Sequence, residues 1–158
     1  MPKLAENRAV ADYLNDRQQL IVMLMKLTSA TEDAHPDLGE VLRIRLCEQL
    51  VDYLSSGYFR VYGDVLSVQS WPDPRDYARF EATTGAVLAF SDRFAAHGAV
   101  RGVRLKPALA DLALALETRF ELEDDLFRRE ARRHTPTRGA RRVGDWTVST
   151  PQIAFAGP

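Results

Sequence analysis

Apolar residues recur at intervals of three and four along four separate segments, and this helical period constrains the fold more than any other feature of the chain. The four segments span about residues 7–28, 37–65, 74–96 and 107–134. Short connections join them, and no segment alternates for more than a few residues in the way a strand does. Four amphipathic helices with short connections favour an all-α, antiparallel four-helix bundle.

Local capping signals support three of these helix ends. Asp37 with Glu40 three residues later resembles a capping box at the start of the second helix. Asp73 followed by Pro74 predicts an N-cap with proline at the first position of the third helix. A glycine such as Gly98 is typical just after the last turn of a helix, so the third helix is predicted to end there. The helix ends are therefore predicted independently of the apolar periodicity.

The size and composition of the chain are those of one globular domain. With 158 residues, 46% apolar and 27% charged, it is long enough for one hydrophobic core and short for two. We expect the bundle to occupy residues 1–134. The proline, glycine and arginine content of residues 135–158 predicts a flexible C-terminal tail.

Two features of the sequence predict a cytoplasmic protein. The longest apolar run near the start, LIVMLM, is closed by Lys26, far short of the roughly 20 residues that a membrane span needs, and no signal-peptide pattern precedes it. Cys47 is the single cysteine, which excludes an internal disulfide and a cysteine-based metal site. We therefore expect neither export nor membrane association.

The net charge of −1 hides a strong asymmetry along the chain. Residues 1–127 carry 14 Lys or Arg against 20 Asp or Glu, a balance of −6, whereas residues 128–142 carry seven Arg against one Glu, a balance of +6. Because the body is acidic, we expect no direct DNA binding. The arginines are compatible with a phosphate contact, but a solvated helix end and tail is the more economical interpretation.

Charged residues interrupt the apolar stripes of the first and fourth helices. In the fourth helix the stripe leads to Arg119 and Glu123, and in the first helix Arg17 lies near the centre of the apolar arc. A lone buried charge costs several kcal/mol, so these residues are expected to find partners, with Arg17 and Glu123 pairing as one arrangement. The alternatives are a structural polar pair, an arginine that reaches the surface, and a polar groove that binds a partner.

Motifs for catalysis or metal binding are absent from the sequence. It has no glycine-rich phosphate loop, no GxSxG and no HExxH. The three histidines, His35, His97 and His134, do not form an ExxH arrangement on an inward face. The acidic residues at 121–125 have no nucleophile or histidine beside them and are expected to be solvated, except Glu123. We therefore expect no enzyme activity, no cofactor and no metal.

Four stretches of the chain carry a resemblance to a known family. LVDYLSSGYFRVY at residues 50–62 resembles the LVDYxSAGHF segment of the Rsd/AlgQ family of bacterial anti-sigma regulators, and RFELED at 119–124 resembles its helix-four signature. FEATTGAVLAFSD at 80–92 and YLNDRQQLIV at 13–22 are similar to its third and first helices. The resemblance spans roughly residues 8–130. It departs at Tyr58, where a histidine is usual, and at Ser91, where an asparagine is usual.

The resemblance implies a non-catalytic bundle that binds region four of the primary sigma factor and lowers its availability to core RNA polymerase. It also implies which residues contact that partner. These candidate site residues are Arg17, Leu20, Asp52, Ser55, Phe59, Tyr62, Arg119, Glu123 and Asp124. We expect a monomer.

Independent reasoning from the residues is compatible with this function. Region four is a basic helix-turn-helix module, for which an acidic bundle is a plausible electrostatic partner. Asp52, Ser55 and Phe59 recur on one flank of the second helix, outside its apolar arc, where they form an outward strip. Packing of Phe59 against another helix is an alternative for that residue. The second function considered is a bundle that binds a small ligand or a metal in a polar core.

Overall fold

The computed structural model describes residues 2–29, 36–58, 71–98 and 104–134. Four α-helices account for nearly all of them: α1 (Pro2–Ser29), α2 (Pro36–Ser56), α3 (Pro74–Phe94) and α4 (Leu105–His134). No strand occurs within these ranges. The predicted all-α four-helix bundle is therefore confirmed.

The chain divides into two compact units, Met1–Asp124 and Asp125–Pro158. The first unit contains α1, α2, α3 and the larger part of α4. Residues 135–158, for which we predict a flexible tail, lie outside the described residues, so the division into a bundle and a tail stays a prediction.

The core of the first unit is built from the apolar stripes of the four helices. Its members are at most 6% exposed, which places the stripes inward as the 3.6-residue period predicts. They include Leu20 and Leu27 of α1, Leu46, Leu50 and Leu54 of α2, Phe80, Val87 and Phe94 of α3, and Leu109, Leu112 and Leu116 of α4.

The start of α3 follows the predicted cap. Asp73 has an extended backbone (φ −109°, ψ 119°), and its side chain accepts a hydrogen bond of 2.9 Å from the backbone N–H of Arg75. Pro74 occupies the first turn, where its missing N–H has no intrahelical partner to lose. At the other end of the second segment, α2 ends at Ser56, and Gly57 and Tyr58 continue it as a wider π-type turn. The predicted continuation towards Val65 lies outside the described residues and stays a prediction.

The C-terminal end of α3 is capped by the first turns of α2. Arg43, only 3% exposed, donates hydrogen bonds to the carbonyl oxygens of Phe94 and, at 3.1 Å, Ala96. Gly98 has a φ of 70°, a conformation that glycine adopts without steric cost, and its N–H donates to Glu40 at 2.7 Å. This bond, aided by Arg43, lowers the pKa of Glu40. Because the start of α2 meets the end of α3, the two helices run antiparallel.

Replacing Arg43 with alanine should lower the free energy of unfolding by about 1–3 kcal/mol, because two carbonyl oxygens at the end of α3 lose a buried charged donor. Arg45→Ala is the matched control, since Arg45 lies two residues along α2 and is exposed. It should change stability by less than about 0.5 kcal/mol. Urea melts of both variants test this, and equal small losses would show that Arg43 does not stabilise the α3 end.

Candidate functional site

A buried polar cluster crosses the first unit from α1 to α3. We define the polar cluster by seven residues: Tyr13, Arg17, Tyr53, Thr83, Thr84, Arg119 and Glu123. Four helices each contribute at least one of them, and their polar atoms lie where the apolar stripes would otherwise meet. The predicted interruptions of the α1 and α4 stripes are the middle of this cluster.

Glu123 is the centre of the polar cluster and is completely buried. Tyr13 donates a hydrogen bond to its Oε2, and Tyr53 donates one of 2.6 Å to its Oε1. Arg17 Nη2 lies 3.3 Å from Oε1, and Arg119 Nε lies 3.7 Å from Oε2. The carboxylate therefore has two hydroxyl donors and two cations, which is the pairing a buried charge requires. The ion pair between Arg17 and Glu123, expected from the sequence as one arrangement, is present.

Arg119 extends the cluster from α4 to α3. It is completely buried, and its Nη1 donates hydrogen bonds to Thr84 Oγ1 at 2.8 Å and Thr83 Oγ1 at 3.2 Å. Its guanidinium lies over the ring of Phe80, 4.2 Å from the centroid. Arginine suits this position because its flat, delocalised cation stacks on an aromatic face while its N–H groups bind oxygens in the same plane.

Arg17 carries the cluster to the protein surface. Its side chain is 11% exposed, and its Nη1 donates a hydrogen bond of 2.7 Å to Asp124, whose side chain is 51% exposed. Its guanidinium lies 4.7 Å from the centroid of the Phe120 ring. Burial alone would lower the pKa of Arg17, but Tyr53, Asp124 and Glu123 outweigh that effect and raise it. Arg17 is thus a permanent cation that pairs with Glu123 inside the protein and with Asp124 at the surface.

Two stacked tyrosines form the wall of the cluster between α1 and α2. The rings of Tyr13 and Tyr53 lie 4.3 Å apart and nearly parallel, and Phe120 meets the Tyr53 ring edge-on at 5.8 Å. Burial, reinforced by the Glu123 carboxylate, raises the pKa of Tyr53. The Tyr53 hydroxyl therefore keeps its proton, donates to Glu123, and accepts a 3.2 Å hydrogen bond from Arg17 Nε.

Comparison with known proteins places this chain in a family. The family model described as "Regulator of RNA polymerase sigma(70) subunit, Rsd/AlgQ" matches residues 4–129, a range that contains the entire polar cluster. The chain belongs to the Rsd/AlgQ family. The resemblance found in the sequence over roughly residues 8–130 is thereby confirmed.

Curated relatives of this Rsd/AlgQ chain carry the name "Regulator of sigma D". One from Enterobacter sp. (strain 638) is 30% identical over 130 residues, which covers 77% of this chain and 79% of the relative. One from Yersinia enterocolitica is 29% identical over 132 residues, and one from Escherichia coli O139:H28 is 28% identical over 136 residues. They cover 79% and 82% of the respective relatives. No solved structure matches the chain.

The predicted site residues of this Rsd/AlgQ chain fall into three groups. Leu20, Arg119 and Glu123 are at most 1% exposed, so a partner has no access to their side chains in this structure. Arg17 and Asp124 meet at the surface, while Asp52 and Ser55 are exposed on α2, as expected for an outward strip. Phe59 and Tyr62 lie outside the described residues, and their roles stay predictions.

Sequence reasoning missed the hydroxyl partners of Arg17, Arg119 and Glu123. Helical spacing alone predicts that Tyr13 and Thr84 face inward with the apolar residues of their helices, and it does not single out Thr83. The signal that points to them is an inward hydroxyl on a helix that packs beside an inward charge. That signal becomes readable only once the pairing of the helices in the Rsd/AlgQ bundle is known.

Among the described residues, no group of three or more His, Cys, Asp or Glu side chains is arranged to hold a metal ion. None of the four helices has an apolar stretch long enough to span a bilayer. An open cleft between α1 and α2 is lined by Gln18, Gln19, Val22, Met23, Lys26 and Gln49. It shares no residue with the polar cluster.

Proposed function

We propose that this protein is an anti-sigma regulator of transcription that binds region four of the primary sigma factor and reduces its availability to core RNA polymerase. The observation that carries the proposal is the match of residues 4–129 to a family of regulators of the sigma(70) subunit. Under this proposal the protein is not an enzyme. It acts as a monomer in the cytoplasm, where RNA polymerase is found.

The charge of the protein supports a basic protein partner. Residues 1–127 carry 14 Lys or Arg against 20 Asp or Glu. A basic protein surface of the kind that binds DNA is therefore complementary to them in charge. Such complementarity mainly raises the rate of association and disfavours wrong partners. The same charge disfavours direct binding to nucleic acid.

The candidate residues divide into contacts and supports. Arg17, Asp124, Asp52 and Ser55 are the accessible members, and we assign them to contact with sigma. Glu123 and Arg119 are buried, and we assign them to holding Arg17 and the adjoining part of α4 in place. An arginine held by two anchors loses less side-chain freedom on binding than a free one, which favours affinity.

The direct test is a calorimetric titration of the purified protein with purified region four. One-to-one binding that weakens as salt is raised is the expected result. A competition assay with core polymerase then measures whether the complex lowers the amount of holoenzyme. Absence of binding would reject the proposal, and stoichiometric metal or a chromophore in the purified protein would favour the alternative of a ligand-binding bundle.

Phe59→Ala is expected to weaken sigma binding by about tenfold or more while leaving stability nearly unchanged. The reason is that aromatic residues at interfaces often carry a large share of the binding energy. Titration with region four and a thermal melt test both halves of this prediction. A variant that unfolds, or that binds as tightly as the parent, would remove Phe59 from the contact surface.

A further inference from the structure

Three apolar side chains form a strip on α1 that is not part of the core. Leu14, Ile21 and Met25 are separated by seven and four residues, which places them within about 40° of one another around the helix axis. Leu14 is 39% exposed and Met25 is 63% exposed, while Ile21 is half-buried. We call these residues the apolar strip.

Three carboxylates form a second strip along α4. Glu117, Glu121 and Asp124 recur at intervals of four and three residues and are all exposed. This spacing keeps them on one face of the helix. We call these residues the acidic strip.

Helical spacing places both strips on the side of α1 and α4 where Arg17 and Asp124 meet. The ring of Phe120, half-buried, lies under the Arg17 guanidinium at the same place. In an antiparallel four-helix bundle the first and fourth helices run in opposite directions, so the residues that follow Arg17 along α1 correspond in height to those that precede Asp124 along α4. This register sets Ile21 at about the height of Glu117. We call the surface between the apolar strip and the acidic strip the groove.

We propose that this groove binds a basic amphipathic helix, whose apolar face lies on the apolar strip and whose Lys and Arg side chains meet the acidic strip. The inference rests on the proposed function, under which that helix belongs to sigma region four. A periodic apolar strip is the feature by which grooves recognise amphipathic helices. Because the second strip is acidic, a complementary partner carries positive charge on the side that faces it.

The same charge disfavours two other occupants. An anionic lipid surface would be repelled by the acidic strip. A second copy of residues 1–127, which carry six more acidic than basic residues, would bring like charges together. A basic helix is the occupant that the two strips favour jointly.

The test uses two groove variants and two matched controls in titrations of the full chain with purified region four. Glu117→Lys/Glu121→Lys reverses two charges of the acidic strip, and Met25→Glu places a charge in the apolar strip. Glu81→Lys/Asp92→Lys makes the same change in net charge at exposed positions of α3, away from the groove and from Asp52 and Ser55. Leu88→Glu changes an exposed apolar residue of α3 that is 43% exposed.

Each groove variant should weaken binding by about tenfold or more, whereas each control should change it by less than about threefold. The charge-reversed groove variant should also show a smaller salt dependence than its control. Equal weakening by groove and control variants would overturn the groove and leave the proposed function standing. Failure of the parent protein to bind region four would overturn both. A parent dimer that Met25→Glu dissociates would assign the groove to a second copy and overturn the proposal.

Discussion

Glu123→Ala should lower the free energy of unfolding by about 3–5 kcal/mol. The substitution removes the carboxylate that faces both Arg17 and Arg119, and it also removes the acceptor of the Tyr13 and Tyr53 hydroxyls. The cost is large because the alanine leaves cations and donors inside the protein without the group that neutralised them. Urea and thermal melts measure the loss.

Asp124→Ala is the control for this experiment because Asp124 pairs with the same arginine at the surface. Its side chain is 51% exposed, so its removal should cost only about 0.2–1 kcal/mol. Glu123→Gln keeps the size of the side chain and one oxygen acceptor, and should fall between the two. If Glu123→Ala were no more destabilising than Asp124→Ala, the buried ion pairs would not stabilise the bundle.

Phe80→Ala should have an effect of similar size, about 3–5 kcal/mol, since it removes a completely buried ring and leaves a cavity. The ring lies beneath the Arg119 guanidinium and 5.4 Å from the Trp71 ring, so the cavity would open directly against a buried cation. Part of the loss is the cation–π attraction, about 1–2 kcal/mol at a desolvated site. Phe80→Leu, which keeps most of the apolar volume, should cost less.

The control on the same helix is Leu88→Ala, because Leu88 is 43% exposed and makes no part of the core. It should change stability by no more than about 0.5 kcal/mol. Urea melts of the three variants provide the comparison. A result in which Phe80→Ala matched Leu88→Ala would mean that the α3 side of the polar cluster is not tightly packed.

Most of the fold was predictable because its signals are local. The Asp73 cap depends on residues one to two positions away, and the apolar period is visible within each helix. The differences occur at helix ends. α1 begins at Pro2 rather than near residue 7, because the Lys, Leu, Ala and Glu at residues 3–6 are strong helix formers that extend it. α4 begins at Leu105, and Pro107 is tolerated because it lies in the first turn.

The site was predictable only in part because its polar partners come from different helices. Arg17 and Glu123 stood out since a charge on an apolar arc is anomalous within one helix. Arg43 did not stand out, although it is 3% exposed, because an arginine on the flank of a helix usually reaches water with its long side chain. Its burial follows from the position of the α3 end, which no pattern within α2 encodes.

The single central carboxylate also fixes how far α4 can slide. An apolar stripe repeats every turn, so shifting α4 along its axis by one turn, about 5.4 Å, would replace each leucine contact by another of nearly equal energy. Glu123 has no equivalent one turn earlier, where Arg119 lies, and such a shift would place a cation among the tyrosine hydroxyls and Arg17. The hydroxyls and guanidinium groups thus select one axial position for α4, as a single polar residue does in a coiled coil. In this bundle the buried leucines stabilise the fold, and Glu123 determines the axial position of α4.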